Sequence, residues 1–141
     1  MKRRTILIIT AVLILISIWM HSIIAENSSY AESLWFTDSV INPIITYFGL
    51  APVDKDLIRK AAHILEFFLF SLFTAILWKG KPVRNLYTGL TVALLDETIQ
   101  VFTGRGGLVT DIWIDMIGVG IGTVIGVLVS GKKERDDSLT I

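Results

Sequence analysis

The feature that most limits how this chain can fold is Thr5–Ile24, a run of 20 residues without a charge directly after three basic residues. As a helix this run is about 30 Å long, which matches the hydrocarbon core of a bilayer. A secretory signal peptide also has a basic start, but its apolar region spans only about 7–15 residues. The sequence Ser-Tyr-Ala at 29–31 is a weak cleavage site. We therefore predict a retained anchor rather than a removed signal.

Three further apolar segments, at about 61–78, 86–102 and 111–129, predict three more membrane helices. The composition agrees, because 52% of the residues are hydrophobic and only 18% are charged, against about 25% in soluble domains. The net charge of zero gives no reason to expect a nucleic acid partner, and the absence of cysteine excludes disulfides and thiolate chemistry. We predict an all-α membrane bundle of four transmembrane helices, with the whole chain, 1–141, as one domain.

The basic residues are divided unequally between the two sides of the predicted bundle. With the N-terminus in the cytoplasm, nine lie on the inner side and four on the outer side. Because basic loops stay in the cytoplasm, both termini are predicted to be cytoplasmic, with 130–141 as a tail and 25–60 as an outer loop. Apolar residues recur every fourth position from Phe36 to Phe48. This spacing predicts either an amphipathic segment on the outer leaflet or a lid over the helix ends.

Charged and polar side chains lie inside three of the four apolar segments, always toward the predicted outer end. Such a group costs roughly 2.5–3.5 kcal/mol near the centre of a membrane helix on insertion scales, so it is a candidate for a functional site. We predict that these groups and the basic residues beside them meet in one outward-facing polar cavity. The predicted members are Arg59, Lys60, His63, Glu66, Asp96, Glu97, Gln100, Arg105, Asp111 and Asp115.

This predicted set contains three basic side chains and five carboxylates. The deficit of two positive charges can be met by protonated carboxylates, by a protonated His63 or by a bound cation. A purely structural ion-pair network is the alternative, although desolvation often cancels the attraction within buried pairs. A divalent metal is one candidate cofactor, and the candidate ligands are His63, Glu66, Asp96 and Asp115.

Two expectations concern individual partners. Neighbouring residues on a helix point about 100° apart, so only one of Asp96 and Glu97 is expected to face the cavity. The other is expected to pair with Arg105 or with a basic residue of the second span. His21 has no acidic residue in its own span and is expected to be an interfacial residue without a role in the site.

Below Asp115, the same helix face continues with Gly118, Gly122 and Gly126. A small residue at every fourth position lets another helix approach closely. We predict helix packing at this face, and it is also the surface through which a homodimer could form.

Four polar motifs occur in a specific order: Arg59-Lys60-Ala61-Ala62-His63-x-x-Glu66, Asp96-Glu97-x-x-Gln100, Gly104-Arg105-x-Gly107 and Asp111-x-x-x-Asp115-x-x-Gly118. This order and spacing resemble the VanZ-like family of bacterial membrane proteins. In that family the position of Asp115 is often Asn, and Pro usually stands where this chain has Thr103. The resemblance implies a multi-pass protein of the bacterial cell membrane. It also implies a link to antibiotic resistance, because the founding member is associated with low-level teicoplanin resistance.

Three functions remain open from the sequence. The first is an envelope protein that binds a lipid, a lipid-linked wall precursor or a lipophilic glycopeptide in the polar cavity and contributes to antibiotic tolerance or envelope stress. The second is a membrane-embedded enzyme, metal-dependent or not, that acts on a lipid-linked or phosphorylated substrate. The third is a small proton- or cation-coupled transporter, which is disfavoured because the inner half of the bundle is expected to contain only glycine and aliphatic residues.

Overall fold

The computed structural model describes residues 2–23, 31, 33–79, 81–104 and 107–139, with side chains described up to residue 131. All regular structure in these ranges is helical, which confirms the all-α prediction. The α-helices are α1 (Lys2–Ile23), α2 (Asn42–Tyr47), α3 (Lys55–Leu77), α4 (Pro82–Phe102) and α5 (Val109–Leu139). Within these ranges, three segments are long and apolar enough to cross a membrane: α1, α3 and Val109–Gly131.

The long helices extend beyond the apolar segments that predict them. Helix α3 begins at Lys55 rather than at about 61, and Asp56 in its first turn interacts favourably with the helix dipole. Helix α4 begins at Pro82, a residue that suits the first turn of a helix because its missing N–H would have no partner there. Helix α5 continues to Leu139, through most of the predicted tail. Hydropathy detects only the apolar part of each helix, which explains these differences.

Helices α3 and α5 run parallel and in close contact along the glycine face. Gly118 lies against the backbone of Ile64 and Phe68, and Gly126 lies further along against Ala75. A Cβ atom on Gly118 would approach the Phe68 nitrogen to 2.9 Å and overlap the Ile64 carbonyl. The predicted packing of this face is therefore provided by α3 of the same chain. The homodimer predicted for this face stays a prediction, and it would have to form around glycines that α3 already contacts.

Helices α1 and α4 run in the opposite direction to α3 and α5. A short turn with Lys79 in the left-handed region (φ 52°) reverses the chain between α3 and α4. At the far end of α4, the Thr103 hydroxyl donates a hydrogen bond of 3.0 Å to the carbonyl of Ser22, near the end of α1. The ends of α1 and α4 thus meet the beginnings of α3 and α5 at one end of the bundle.

An apolar core at mid-depth, here called the apolar layer, joins the four long helices. It consists of Ile18, Phe67, Phe70, Val92, Ala93 and Val119. Many apolar side chains on the outside of the bundle are exposed, such as Leu13 (61%) and Leu128 (67%). Apolar exposure on this scale suits hydrocarbon rather than water, which agrees with the three candidate spans.

Below the apolar layer, away from the end where α3 begins, lies a second buried layer that is polar. The side chain of Asn85 donates to the hydroxyls of Ser71 (2.7 Å) and Thr123 (2.9 Å) and accepts from that of Thr74 (2.7 Å). All four residues are buried. The expectation that this half contains only glycine and aliphatic residues is therefore wrong. Hydropathy averages hid these residues because Ser and Thr are small and Asn85 precedes the predicted segment.

The described part of the 25–60 connection is mostly helical. A π-helical turn, Thr37–Ile41, leads into α2. The change of helix type just before Pro43 agrees with the inability of proline to donate a backbone hydrogen bond. The side chain of Asn42 accepts from the backbone N–H of Val53 at 2.9 Å and so folds the connection back on itself. Apolar side chains nearby are well exposed, including Trp35, Tyr47 and Phe48. This exposure favours a segment lying on the membrane surface over a lid that buries its apolar face.

Candidate functional site

Polar side chains from all four long helices converge at the end of the bundle where α3 and α5 begin. We refer to them as the polar cluster, which consists of Ser17, His21, Ser22, His63, Glu66, Asp96, Glu97, Gln100 and Asp115. The helix directions explain the convergence, because the ends of α1 and α4 and the beginnings of α3 and α5 lie at the same depth.

The centre of the polar cluster is formed by His63, Asp96 and Asp115. Ligand-type atoms of these three side chains lie within 4.8 Å of one another. The Nδ1 atom of His63 is 3.3 Å from the Oδ1 atom of Asp115, but this contact lacks hydrogen-bond geometry. Asp115 is fully buried, and neither of its carboxylate oxygens has a hydrogen-bond partner. A buried carboxylate without a donor is costly, so Asp115 needs a positive partner, either a protonated His63 or a bound cation.

Asp96 is held on both sides by neutral donors. The hydroxyl of Ser22 donates to Oδ1, and the side-chain amide of Gln100 donates to Oδ2 at 2.8 Å. Asp96 itself is fully buried. These hydrogen bonds orient its carboxylate toward His63 and Asp115 while leaving lone pairs free, since each carboxylate oxygen accepts about two hydrogen bonds.

Glu66 lies to one side of this centre, where it connects α3 to α1. Its Oε1 atom is 2.9 Å from Nδ1 of His21 and accepts a hydrogen bond of 3.0 Å from the Ser17 hydroxyl. The expectation that His21 has no role in the site is therefore wrong. Of the four candidate metal ligands, Glu66 is the one that lies outside the group formed by His63, Asp96 and Asp115.

Glu97 stabilises the backbone rather than forming an ion pair with a described basic residue. Its Oε2 atom accepts a hydrogen bond of 2.8 Å from the N–H of Leu108, and Gln100 donates to its Oε1 at 3.3 Å. A Cβ atom at Gly107 would lie 2.7 Å from the Glu97 carbonyl oxygen, so glycine is needed for this close approach. The predicted pairing of this acid with a base of the second span is not found, and Arg105 lies outside the described residues.

A small cavity of about 10 Å³ opens beside the centre of the cluster. This volume suits about one water molecule. The lining residues are Arg59, Lys60, His63, Gln100, Asp111, Ile114 and Asp115. Neither Arg59 nor Lys60 forms an ion pair with a described carboxylate, which leaves both charges available at this end of the bundle. Arg59 and Lys60 therefore do not neutralise the described buried acids, as a structural network would require.

The residues that sequence reasoning missed come from α1. Ser17, His21 and Ser22 fall within a stretch of six residues near the end of a mostly apolar helix. The spacing of four residues places Ser17 and His21 on one helix face, and Ser22 follows His21 directly. That local grouping was the available signal, and it would have pointed to an inward-facing side of α1.

The fold and the polar cluster define a helical membrane protein with a buried acid–histidine site at one end of its bundle. The chain belongs to the VanZ/LLP1 family, whose profile matches residues 6–130. It is similar to YwnJ of Bacillus subtilis (strain 168), an uncharacterized membrane protein, with 31% identity over 94 residues. That match covers 65% of this chain and 65% of the relative's length, slightly under two thirds. No solved structure matches the chain significantly.

Proposed function

We propose that this protein binds the head group of a phosphate-bearing envelope lipid at the outer face of the membrane. The observation that carries the proposal is the pair of basic side chains, Arg59 and Lys60, that line the cavity without a described acidic partner. A phosphate is the anion that such a pair binds well, with Arg providing paired donors and Lys a compact charge. Lipids and lipid-linked wall precursors share this phosphate chemistry.

The position of the site depends on α4 crossing the membrane as a fourth span. Because α3 and α5 run parallel, the chain must return across the whole bundle between them. Helix α4 is the only segment between them, and its 21 residues extend about 31 Å. Because of its charged residues, α4 is not among the three helices that are apolar enough to span a membrane by composition. However, Asp96 and Glu97 are buried inside the bundle rather than facing lipid.

The distribution of basic residues supports an orientation with both termini in the cytoplasm and the polar cluster outside. We expect an Asp54→Cys variant to react with a membrane-impermeant maleimide on intact cells. A Lys79→Cys variant should react only after the cells are opened, because residue 79 lies at the opposite end of α3. Both positions are exposed, and the chain has no cysteine of its own to interfere. Labelling of Lys79→Cys alone on intact cells would reverse the proposed orientation.

The lipid proposal is tested by removing the two charges. Each basic residue near a phosphate contributes about 1 kcal/mol, so the Arg59→Ala/Lys60→Ala variant should bind short-chain phosphatidylglycerol or a polyprenyl phosphate about 30-fold more weakly. The matched control is Lys79→Ala/Lys81→Ala, which removes two exposed charges at the other end of the bundle. Native mass spectrometry of the purified protein measures lipid binding by both double variants. Equal losses in the two double variants would show that only overall charge matters.

The same assay separates phosphate lipids from a lipophilic glycopeptide. The proposal predicts binding of the phosphate lipids and a dependence on Arg59 and Lys60. Binding of teicoplanin with no binding of either phosphate lipid would contradict it and favour direct contact with the antibiotic.

An enzyme that acts on a phosphorylated lipid is the second candidate. The convergence of His63, Asp96 and Asp115 beside the proposed phosphate position favours it. Histidine next to a carboxylate is a common arrangement for moving protons to and from a leaving group. Release of phosphate from a polyprenyl pyrophosphate, lost in His63→Gln, would support an enzyme. Tight binding without turnover would support the binding protein.

Transport across the bundle is less well supported. The apolar layer separates the polar cluster from the buried Asn85 layer. On α3, His63 and Ser71 share one helix face with Phe67 between them, and Phe67 is fully buried. On α5, Val119 occupies the same place between Asp115 and Thr123. A proton or cation would meet closely packed apolar side chains along both helices.

A further inference from the structure

We infer that His63, Asp96 and Asp115 form a binding site for a divalent transition metal ion, with Zn²⁺ as the best fit. The three side chains come from three different helices, α3, α4 and α5, and their ligand atoms lie within 4.8 Å of one another. The inference does not depend on lipid binding, because the metal site and the Arg59–Lys60 pair involve different side chains.

The environment of Asp115 supports a bound metal most directly. This side chain is fully buried, and both of its carboxylate oxygens lack a hydrogen-bond partner. The Nδ1 atom of His63 is also buried without a hydrogen-bond partner. Each of these atoms can ligate a metal, and they face one another. Such an arrangement is expected where a bound ion supplies the partner that the atoms lack. Buried carboxylates in proteins are normally paired or bound to a metal.

Distances and charge both suit a metal. Zinc bonds of about 2.0–2.1 Å in tetrahedral geometry separate two ligand atoms by about 3.3 Å. The observed separation of His63 Nδ1 and Asp115 Oδ1 is 3.3 Å. Two ionised carboxylates and a neutral imidazole carry a charge of −2, which a divalent ion cancels. The unpaired Arg59 and Lys60 do not perform this role for either buried aspartate.

The surrounding residues resemble the outer shell of known metal sites. Ligating carboxylates are usually hydrogen-bonded to neighbouring donors, and here Ser22 and Gln100 hold the two oxygens of Asp96. Three protein ligands leave one tetrahedral position open for water or substrate. The cavity of about 10 Å³, lined by His63 and Asp115, has room for a water molecule at that position. An imidazole ligand favours zinc over Mg²⁺, Ca²⁺ and Mn²⁺, which prefer oxygen ligands.

Metal binding can be measured directly on the full-length protein in detergent, purified with a tag that contains no histidine. After treatment with a chelator, isothermal titration calorimetry should show one Zn²⁺ per chain, with weaker Mn²⁺ and no Mg²⁺ binding at the same concentration. Removing a ligand should weaken binding by at least about 10- to 100-fold, the effect seen for outer-shell residues. We expect this loss in Asp115→Asn and in His63→Gln.

Two matched controls make the experiment specific. Asp38→Asn and Asp56→Asn each remove an exposed acid that lies outside the polar cluster and its cavity. Both controls should keep the wild-type affinity for Zn²⁺. If the ligand variants do not fold, Co²⁺ provides a test on the wild-type protein, because tetrahedral Co²⁺ absorbs strongly in the visible range.

The inference is overturned if wild-type protein binds none of these ions, if Asp115→Asn binds as tightly as wild type, or if Asp56→Asn loses binding to the same extent. Its failure would leave the lipid proposal intact, since lipid binding is measured through Arg59 and Lys60. Conversely, stoichiometric Zn²⁺ with no phosphate-lipid binding would support the metal site and remove only the lipid proposal.

Discussion

Replacing Gly118 with alanine is expected to destabilise the bundle by about 3 kcal/mol, at the upper end of the range for overpacking. The added Cβ atom would overlap the Ile64 carbonyl and lie 2.9 Å from the Phe68 nitrogen. Both neighbours are backbone atoms of α3, so neither can rotate away as a side chain would. The two helices must separate, and this would also displace His63 from Asp115.

The control for this variant is on the same helix. A Cβ atom on Gly120 would have no neighbouring atom within 4 Å, so Gly120→Ala adds a methyl group to open space. Alanine is the better helix former by up to about 1 kcal/mol, and this variant should be as stable as wild type or slightly more stable. Thermal unfolding in detergent compares the two. Equal stabilities of Gly118→Ala and Gly120→Ala would contradict the close contact of α3 and α5.

The second large effect is expected for Asn85→Ala. The Asn85 side chain contacts α3 and α5 at once, through Ser71, Thr74 and Thr123. Its removal takes one donor, the Asn85 amide 3.0 Å away, from the carbonyl oxygen of Ser71, which keeps the Thr74 hydroxyl as a donor. It also opens a cavity in a buried layer. Individual hydrogen bonds between membrane helices average about 0.6 kcal/mol, so several bonds and a cavity together should cost about 2–3 kcal/mol.

Thr91→Ala is the matched control on α4. The Thr91 hydroxyl is exposed and donates only to the carbonyl of Tyr87 in its own helix. Its loss should change the free energy of unfolding by less than about 0.5 kcal/mol. If both variants melted at the same temperature, the Asn85 layer would contribute little to the stability of the bundle.

Much of the architecture could be predicted because charges inside apolar runs are energetically expensive and therefore informative. The positions of His63, Asp96 and Asp115 within their segments place all three at one end of the bundle, given helices of alternating direction. The glycine spacing likewise indicates a close helix contact, although the sequence does not say which helix provides it. Three of the four predicted spans meet the requirements of length and apolar composition.

The partners of individual residues could not be predicted, because they depend on how each helix is rotated and shifted against its neighbours. Nothing local in the sequence links His21 to Glu66, which are 45 positions apart. One of Asp96 and Glu97 is expected from the sequence to meet a base, but the turn after α4 brings the N–H of Leu108 to Glu97 instead. Asn85 was overlooked because a hydropathy window begins the third segment one residue later, whereas the helix begins at Pro82.

The apolar layer of Phe67, Val119 and their neighbours has a consequence for the chemistry of the cell surface. In the proposed orientation it isolates the acid–histidine site from the cytoplasm, so the metal supply and acidity sensed there are those of the external medium. The concentration of free zinc inside the cell would not affect how much metal the site binds. Starving the growth medium of zinc should then empty it while cytosolic zinc enzymes are still fully loaded.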